Sequence, residues 1–364
     1  MKQIRIAYFI SPHGFGHASR ACSIMIELTK IYPEIRFEIF TKVPKWFFQD
    51  SLVANFGYHP FLTDVGLVQE SPLKENLDET IKALSGFFPF RKSIIKNLSE
   101  KVKKLKCKII ICDISPLGIA VAHESGICSI LIENFTWDWI YREYAKYNSG
   151  FLPYVEYLKN QFKLADYHIQ TEPVCGKRKS DLTVPPISRG KRKNSTEVRK
   201  ILGIKQNSKV VMITMGGIRE KNNFLKSLQK LSGIIFIIPG GSLKKTKQDN
   251  LILLPFHSEF FHPDLINASD AVVGKAGYST LAEVYASGVP FGYITRSMFR
   301  ESKVLMQYIK KNMQGIAINE NQYIKGRWIK KIPLLLSLPK KPGRENGAGP
   351  SAEFIYKITC KNAG

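Results

Sequence analysis

The sequence predicts an α/β protein built from two doubly wound domains. Short apolar segments of strand character alternate with segments of helical periodicity, and this alternation runs through the chain twice. At 364 residues, 44% of them hydrophobic, the chain can bury two ordinary cores of about 150 residues each. Strands separated by helices in this way are typical of parallel βαβ units.

The first half of the chain predicts one parallel sheet. Its predicted strands are short and apolar, and they cover residues 4–10, 36–41, 109–112, 129–133 and 167–170. The predicted helices lie at residues 18–30, 77–105 and 116–125. Near residues 184–194 the periodicity stops, and prolines, a glycine and cations indicate an exposed connector.

The second half repeats the pattern. It opens with a predicted helix at 195–202, and a second helix is predicted at 279–287. The predicted strands cover residues 210–215, 234–238, 251–253, 271–273 and 291–294. We therefore expect two Rossmann-like domains, 1–186 and 187–343, that face each other across a cleft. Residues 344–364 indicate a linker and a last helix, which we expect to pack back on the first domain.

Charge narrows the class of partner. Lys and Arg number 54 against 30 Asp and Glu, and the formal net charge of +24 speeds association with anionic partners. Sugar nucleotides, anionic lipid head groups and nucleic acid all carry such charge. The basic clusters lack interleaved stacking aromatics, which argues against nucleic acid. A solvated, lysine-rich surface is the alternative to any of these partners.

Apolar segments and cysteines indicate the compartment. No segment reaches the roughly 18 to 20 uninterrupted apolar residues of a membrane-spanning helix. Six scattered cysteines without a CxxC pair favour reduced thiols over disulfides or zinc, so a cytoplasmic protein is expected. Residues 86–92 place three phenylalanines beside two cations. That pattern fits an anchor on the cytoplasmic face of an anionic membrane, and it fits a core-facing loop equally well.

A glycine-rich turn joins the first strand to the first helix. The segment 8–20 reads Tyr-Phe-Ile-Ser-Pro-His-Gly-Phe-Gly-His-Ala-Ser-Arg, in which Gly14 and Gly16 permit a tight turn. His17 then begins the helix at the carboxyl edge of the sheet, where open α/β folds bind ligands. An imidazole there suits a general base. His13 is the rival base, and a structural turn histidine is the other interpretation.

A second glycine turn precedes a helix in the second half. Residues 270–283 read Asp-Ala-Val-Val-Gly-Lys-Ala-Gly-Tyr-Ser-Thr-Leu-Ala-Glu, so backbone N–H groups at 277–280 and the positive helix end suit a diphosphate. Glu283 lies one turn further on, where its carboxylate can accept hydrogen bonds from both hydroxyls of a ribose. Residues 214–218, Thr-Met-Gly-Gly-Ile, end another strand in a glycine turn. An ordinary N-capped helix is the alternative.

These motifs together resemble those of GT-B glycosyltransferases. The resemblance also uses Asp113 after a hydrophobic strand and Gly-Val-Pro at 288–290, and it covers essentially the whole chain in the right order. MurG-type and plant UDP-sugar transferases share the second glycine block. Residues 13–20 and 134–141 resemble most closely the glycosyltransferase-like domain at the N-terminus of plant L-arabinokinases.

The resemblance implies a reaction. In plant UDP-sugar transferases the histidine after the first strand takes the acceptor's proton and an aspartate from a later strand steadies it; His17 and Asp113 match these positions. It follows that the expected activity is an inverting, metal-independent transfer from a UDP- or dTDP-sugar to an acceptor hydroxyl. No cofactor or metal is expected, since backbone donors and a cation can stabilise the leaving diphosphate. A helix cap is the alternative role for Asp113.

The resemblance also implies the binding residues. The expected donor site consists of Gly216, Gly217, Arg219, Phe256, His257, Lys275, Gly277, Tyr278, Ser279, Thr280, Glu283, Arg296 and Glu301. The expected acceptor site consists of His13, Gly14, Phe15, Asn134, Trp137 and Asp138. Sugar rings stack on aromatic faces, although the aromatic stretch after residue 134 also suits a core.

Two other functions stay open at the level of the sequence. A nucleotide-sugar-binding protein on a transferase scaffold would sense or regulate without turnover. A UDP-hexosamine 2-epimerase shares the architecture, but it usually needs several acidic residues around the donor sugar that the sequence does not reveal.

Overall fold

The structure is a computed structural model that describes residues 4–71, 73–216, 224–341 and 343–363. Within these residues the chain forms two seven-stranded sheets and one two-stranded ribbon. It divides into two compact units. The first unit contains the described residues up to Gln69, Glu75–Ser188, and those from Asn346 onward; the second contains Glu70–Lys74 and Arg189–Glu345.

The first unit has an all-parallel sheet in the order β3-β2-β1-β6-β7-β8-β9. Its strands and the ribbon strands are β1 (Ile4–Ile10), β2 (Ile35–Thr41), β3 (Phe56–Pro60), β4 (Gln69–Ser71), β5 (Lys74–Glu75), β6 (Cys107–Asp113), β7 (Ser129–Glu133), β8 (Tyr167–Thr171) and β9 (Leu182–Val184). The middle strands are apolar and buried because helices cover both faces of a parallel sheet.

Seven helices connect these strands. They are α1 (Gly16–Ile31), α2 (Lys45–Ser51), α3 (Leu77–Phe87), α4 (Lys92–Lys104), α5 (Pro116–Ser125), α6 (Trp137–Tyr144) and α7 (Leu152–Phe162). The expected helix over 77–105 is in fact two helices, because Pro89 cannot continue α3. A short 3₁₀ turn lies at Ser149–Phe151.

The second unit has a sheet in the order β12-β13-β11-β10-β14-β15-β16, parallel except for the edge strand β12. Its strands are β10 (Lys209–Thr214), β11 (Ile234–Pro239), β12 (Thr246–Gln248), β13 (Leu251–Leu254), β14 (Ala271–Lys275), β15 (Phe291–Ile294) and β16 (Gly315–Ile318). Its helices are α8 (Ser195–Ile201), α9 (Leu225–Gln229), α10 (His262–Ala268), α11 (Tyr278–Ser287), α12 (Arg300–Asn312), α13 (Glu320–Ile324) and α14 (Ile332–Ser337), with a 3₁₀ turn at Arg327–Lys331.

The last helix, α15 (Ala348–Ala363), belongs to the first unit. Ala352 and Ile355 are fully buried in the core that α1 and the first sheet share. The chain therefore leaves the first unit after Ser188 and rejoins it at Asn346. The predicted fold class, two Rossmann-like parallel-sheet domains in an α/β protein, is confirmed.

Candidate active site

The glycine turn after β1 places His17 beside the end of β6. Gly14 has a φ of +71°, a conformation that glycine adopts without strain, and α1 begins two residues later. His17 lies in the first turn of α1 and is 7% exposed. Ile10 at the end of β1 pairs with Asp113 at the end of β6, so the two strands end at the same edge of the sheet. His17 Nδ1 lies 2.8 Å from Asp113 Oδ1. The structure brings the two predicted catalytic residues together.

Arg20 completes this cluster, and sequence reasoning missed it. Its Nε donates to Asp113 Oδ2 at 2.8 Å and its Nη2 donates to Asp113 Oδ1 at 2.6 Å, which is a bidentate ion pair. Its Nη1 donates to Asn134 Oδ1 at 3.0 Å. Arg20 follows His17 by three residues, and the i, i+3 spacing on a helix was the available signal.

Burial and charge set the protonation of these groups. Burial alone would raise the pKa of Asp113, but the Arg20 guanidinium and the hydrogen bonds from Arg20 and His17 outweigh it and lower that pKa. Burial lowers the pKa of His17 and the Arg20 charge lowers it further, against the opposing effect of Asp113. The imidazole is therefore neutral at neutral pH. Its Nδ1 proton points to Asp113, and Nε2 is the basic nitrogen.

A second buried carboxyl group lies beneath the turn. Asp64 is 1% exposed; it accepts a hydrogen bond from Ser11 Oγ at 2.9 Å and one from Trp137 Nε1 at 3.0 Å. Burial raises its pKa to about 7, in spite of these hydrogen bonds. The Trp137 indole also meets the His13 ring edge to face, with ring centroids 5.1 Å apart. Asp64 thus links β1, the turn and α6.

Three of the expected acceptor residues are interior. Asn134 is fully buried and binds Arg20, Trp137 is 1% exposed, and Asp138 is 2% exposed and ion-paired with Arg178 at 2.6 Å. This placement corrects the expectation that these side chains face an acceptor, because a sugar ring cannot stack on a buried face. The remaining expected residues, His13, Gly14 and Phe15, are partly or fully exposed at the turn.

In the second unit, two glycine turns lie at the carboxyl ends of neighbouring strands. Strand β10 ends at Thr214 and pairs with β14 through Gly274, and Gly216 follows with a φ of +70°. A Cβ placed on Gly216 would lie 3.7 Å from Lys275 Cε, and one on Gly277 would lie 3.9 Å from the same atom. The Lys275 side chain therefore runs between the two turns. Gly217 and Arg219 lie outside the described residues.

Helix α11 starts at this edge. Gly277 is its N-cap, Ser279 is half-buried, and Tyr278 and Thr280 are buried at the first turn. The first N–H groups of any helix lack intrahelical acceptors, and its dipole favours negative charge there. A lysine and a helix N-terminus are thus brought to one place, an arrangement that suits a phosphate group.

Glu283 is held in an ion-pair cluster. Its Oε1 accepts from Arg189 Nη2 at 3.0 Å and from Arg189 Nε at 3.2 Å, and its Oε2 accepts from His262 Nδ1 at 2.6 Å. Burial would raise the pKa of Glu283, but the Arg189 and His262 charges and hydrogen bonds lower it to about 2. The His262 Nε2 atom lies 3.3 Å from Thr214 Oγ1. A ribose bound by Glu283 would share the Glu283 carboxylate with Arg189 and His262. Sequence reasoning had not identified these two partners.

The other expected donor residues also follow parallel strands of this sheet. Phe256 and His257 follow β13, half-buried and exposed respectively. Arg296 follows β15; it is 6% exposed, and its guanidinium carbon lies 3.7 Å from the centre of the Phe299 ring. Glu301 is 4% exposed in the first turn of α12.

A protein-family model matches most of the chain. The model described as Glycosyl transferase family 1 matches residues 4–333. This chain belongs to that family. The assignment supports sugar transfer as the general activity, and it confirms the resemblance to glycosyltransferases.

One curated protein matches almost the whole of this chain. The chain is 28% identical over 368 residues to the L-arabinokinase of Arabidopsis thaliana, in a match that covers 99% of this chain and 35% of that protein. The chain thus spans about a third of the length of the curated relative it matches.

Solved structures of glycosyltransferases share the GT-B fold with this chain. A UDP-glucosyltransferase from Polygonum tinctorium superposes with a TM-score of 0.63 at 13% identity, over 98% of this chain and 99% of that one. The MurG of Acinetobacter baumannii gives 0.58 at 13% identity, over 97% and 99%. Medicago truncatula UGT71G1, solved with UDP-glucose, gives 0.58 at 13% identity, over 100% and 99%. At such identity the likeness shows the fold alone.

The phenylalanine run at 86–92 packs inside the first unit. Phe88 is 6% exposed and Phe90 is 9% exposed, and both rings contact Tyr157. Phe87 is half-buried, and its ring meets each of them edge to face. These contacts favour the core-facing interpretation of the run for Phe88 and Phe90. Along the described ranges, no helix combines the length and the apolar character needed to cross a membrane.

The described part of the chain contains no group of three or more His, Cys, Asp or Glu side chains arranged to hold a metal ion. None of the six cysteines, all within the described ranges, forms a disulfide bond.

Proposed function

We propose that this protein is an inverting, metal-independent glycosyltransferase that moves a sugar from a nucleoside diphosphate sugar to an acceptor hydroxyl. The second unit binds the donor, and the first supplies the base. The observation that carries the proposal is the His17–Asp113 hydrogen bond of 2.8 Å at a sheet edge in a chain of this family. UDP-glucose bound to Medicago truncatula UGT71G1 supports a UDP-sugar donor, with a dTDP-sugar as the variant to test.

His17 performs the proton transfer. The neutral imidazole donates a hydrogen bond from Nδ1–H to Asp113, so Nε2 takes the proton of the acceptor hydroxyl. The acceptor oxygen forms a bond to the anomeric carbon as the bond from that carbon to the diphosphate oxygen breaks, and the electron pair leaves with the diphosphate. One such displacement inverts the anomeric configuration. Asp113 stays ionised and stabilises the imidazolium that forms.

The leaving group requires electrostatic stabilisation. Lys275 runs between the glycine turns after β10 and β14, and the first turn of α11 presents backbone donors beside it. These groups would meet the charge that develops on the diphosphate without a divalent cation. Among side chains of the turn, Ser279 would add a hydroxyl donor.

Release of nucleoside diphosphate tests the proposal. A panel of UDP- and dTDP-sugars is incubated with a cell-extract acceptor fraction and the wild-type protein, the His17→Ala variant or the His13→Ala variant. We expect donor-dependent release that His17→Ala lowers by at least about 100-fold, as for loss of a general base. His123→Ala is the matched control, because His123 is an exposed histidine on α5. Equal release from wild type and His17→Ala would remove His17 from the mechanism, and loss in His13→Ala alone would make His13 the base.

A nucleotide-sugar-binding protein without turnover is the second candidate. The burial of Asn134, Trp137 and Asp138 favours it, since it leaves fewer side chains for an acceptor. Saturable UDP binding by calorimetry, together with no release from any donor in the panel, would establish this candidate over the transferase.

Addition of EDTA tests the metal independence of the proposed transferase, and we expect unchanged release of nucleoside diphosphate.

A further inference from the structure

We propose that Arg20 is a positioning residue that organises the His17–Asp113 pair and sets the pH range over which His17 can accept a proton. The catalytic meaning of this inference rests on the proposed function. Its electrostatic part concerns the protein alone and can be measured without any substrate.

The guanidinium joins three elements of the first unit. Arg20 lies on α1, its Nε and Nη2 bind both oxygens of Asp113 at the end of β6, and its Nη1 binds Asn134 just after β7. Arg20 is 1% exposed, and Asp113 and Asn134 are fully buried. Only a planar fork makes these contacts at once; a lysine ammonium would keep the charge and lose the geometry.

The carboxylate oxygen that faces His17 is shared. Asp113 Oδ1 accepts from His17 Nδ1 at 2.8 Å and from Arg20 Nη2 at 2.6 Å. The position of Arg20 therefore fixes the oxygen that orients the imidazole. It follows that His17 keeps one tautomer and one ring orientation, with Nε2 directed away from the pair.

Arg20 also changes the charge balance of the site. Asp113 and Arg20 cancel, so protonation of His17 leaves a net positive charge in a buried cluster. Without Arg20, protonated His17 and ionised Asp113 would form a neutral pair, and the imidazolium would be favoured. Arg20 thus opposes protonation of His17, and the basic form persists at lower pH. His17 is thus a weaker base, and it stays in its neutral form over a wider range of pH.

Other titratable groups surround the cluster. Tyr8 on β1 and Cys112 on β6 are fully buried, and burial raises the pKa of each well above its usual value, so both stay neutral. Cys22 on α1 is buried nearby, and the charge of Asp113 helps to raise the pKa of Asp64. Because the pKa of Asp64 is about 7, its titration overlaps the range of interest. An Asp64→Asn background removes this overlap.

NMR titration of the histidine Cε1–H signals tests the electrostatic part. The His17 signal is assigned with His17→Gln, and its midpoint is compared between Asp64→Asn and Asp64→Asn/Arg20→Gln. We expect removal of the cation to raise the His17 midpoint by about one pH unit, with the exposed His123 unchanged as an internal reference. An unchanged His17 midpoint overturns this part of the proposal.

Arg20→Lys tests the positioning part and guards against an Arg20→Gln variant that does not fold. Lysine keeps the charge, so we expect a His17 midpoint near that of wild type but a kcat lower by about tenfold or more, with KM little changed. Wild-type kcat in Arg20→Lys overturns the positioning role. Should no donor support turnover in the wild-type protein, the proposed function fails, and the NMR midpoints still decide the electrostatic role.

Discussion

At the residue scale, Asp64 shows how burial changes the chemistry of one side chain. Its carboxyl group is 1% exposed and bonded to Ser11 and Trp137, and its pKa is raised from 3.8 to about 7. The folded protein therefore holds this proton more tightly than the unfolded chain does. The stabilisation is fully present below about pH 4 and is lost as the pH rises through 7.

Asp64→Asn cannot ionise, which gives a prediction about stability. We expect the free energy of unfolding of wild type to fall between pH 5 and pH 8 by roughly 2–3 kcal/mol more than that of Asp64→Asn. Urea denaturation at each pH measures the difference. Asp50→Asn, at an exposed position on α2, is the control and should keep the wild-type pH dependence. A wild-type slope in Asp64→Asn would show that Asp64 is ionised throughout.

The residue scale also separates what spacing indicates from what burial decides. His17 and Asp113 follow two strands of one sheet, so the strand pattern places both at one edge, and the resemblance to UDP-sugar transferases identified the pair. Nothing in the pattern required the guanidinium of Arg20 to turn inward, because arginine usually lies at the surface. Only the buried carboxylate of Asp113 explains its position.

At the element scale, α5 packs unusually close to the first sheet. A Cβ on Gly118 would lie 2.6 Å from Phe9 Cβ and 2.7 Å from Cys112 Sγ, closer than real Cβ atoms approach. Glycine thus lets α5 sit directly on β1 and β6, whose ends carry the candidate catalytic groups. The position of Asp113 depends on this packing.

Gly118→Ala should move α5 away from the sheet. We expect a loss of about 1–3 kcal/mol in the free energy of unfolding, as for an overpacked core. The matched control is Gly86→Ala on α3, where a Cβ meets nothing within 4 Å. That control should be neutral or more stable by up to about 1 kcal/mol, because alanine favours helix. Equal losses in urea denaturation of both variants would contradict the packing argument.

The elements that the sequence did not predict include the helices α6, α7 and α12 and many short segments. The strands β9 and β12 have three residues each, and α2, α9 and α13 have seven residues or fewer. Such segments carry too few periods of apolar residues to be recognised, and long-range packing determines them. The buried strands β1, β6, β10 and β14 were predicted to within two residues at each end, because their apolar runs are continuous.

At the scale of the whole molecule, the net charge of +24 is the feature that burial does not explain. If the anionic donor is attracted by this field, salt should weaken its binding. We expect the Kd of UDP, measured by calorimetry, to rise by about tenfold between about 50 mM and about 500 mM NaCl. Uridine lacks the diphosphate and is the control. The same salt dependence for uridine and UDP would show that the field does not act on the nucleotide's charge.

Two levels of information determine this protein. Apolar periodicity and glycine turns by themselves determined the alternation of strands and helices, the two sheets and the placement of His17 at a sheet edge, because parallel strands end at one edge. The resemblance to UDP-sugar transferases added Asp113 as its partner. Tertiary structure decided which polar side chains are buried. Asn134, Trp137, Asp138 and the phenylalanines at 88 and 90 turned inward, and Arg20 and Asp64 joined the site, since a buried charge is stable only beside partners from distant segments.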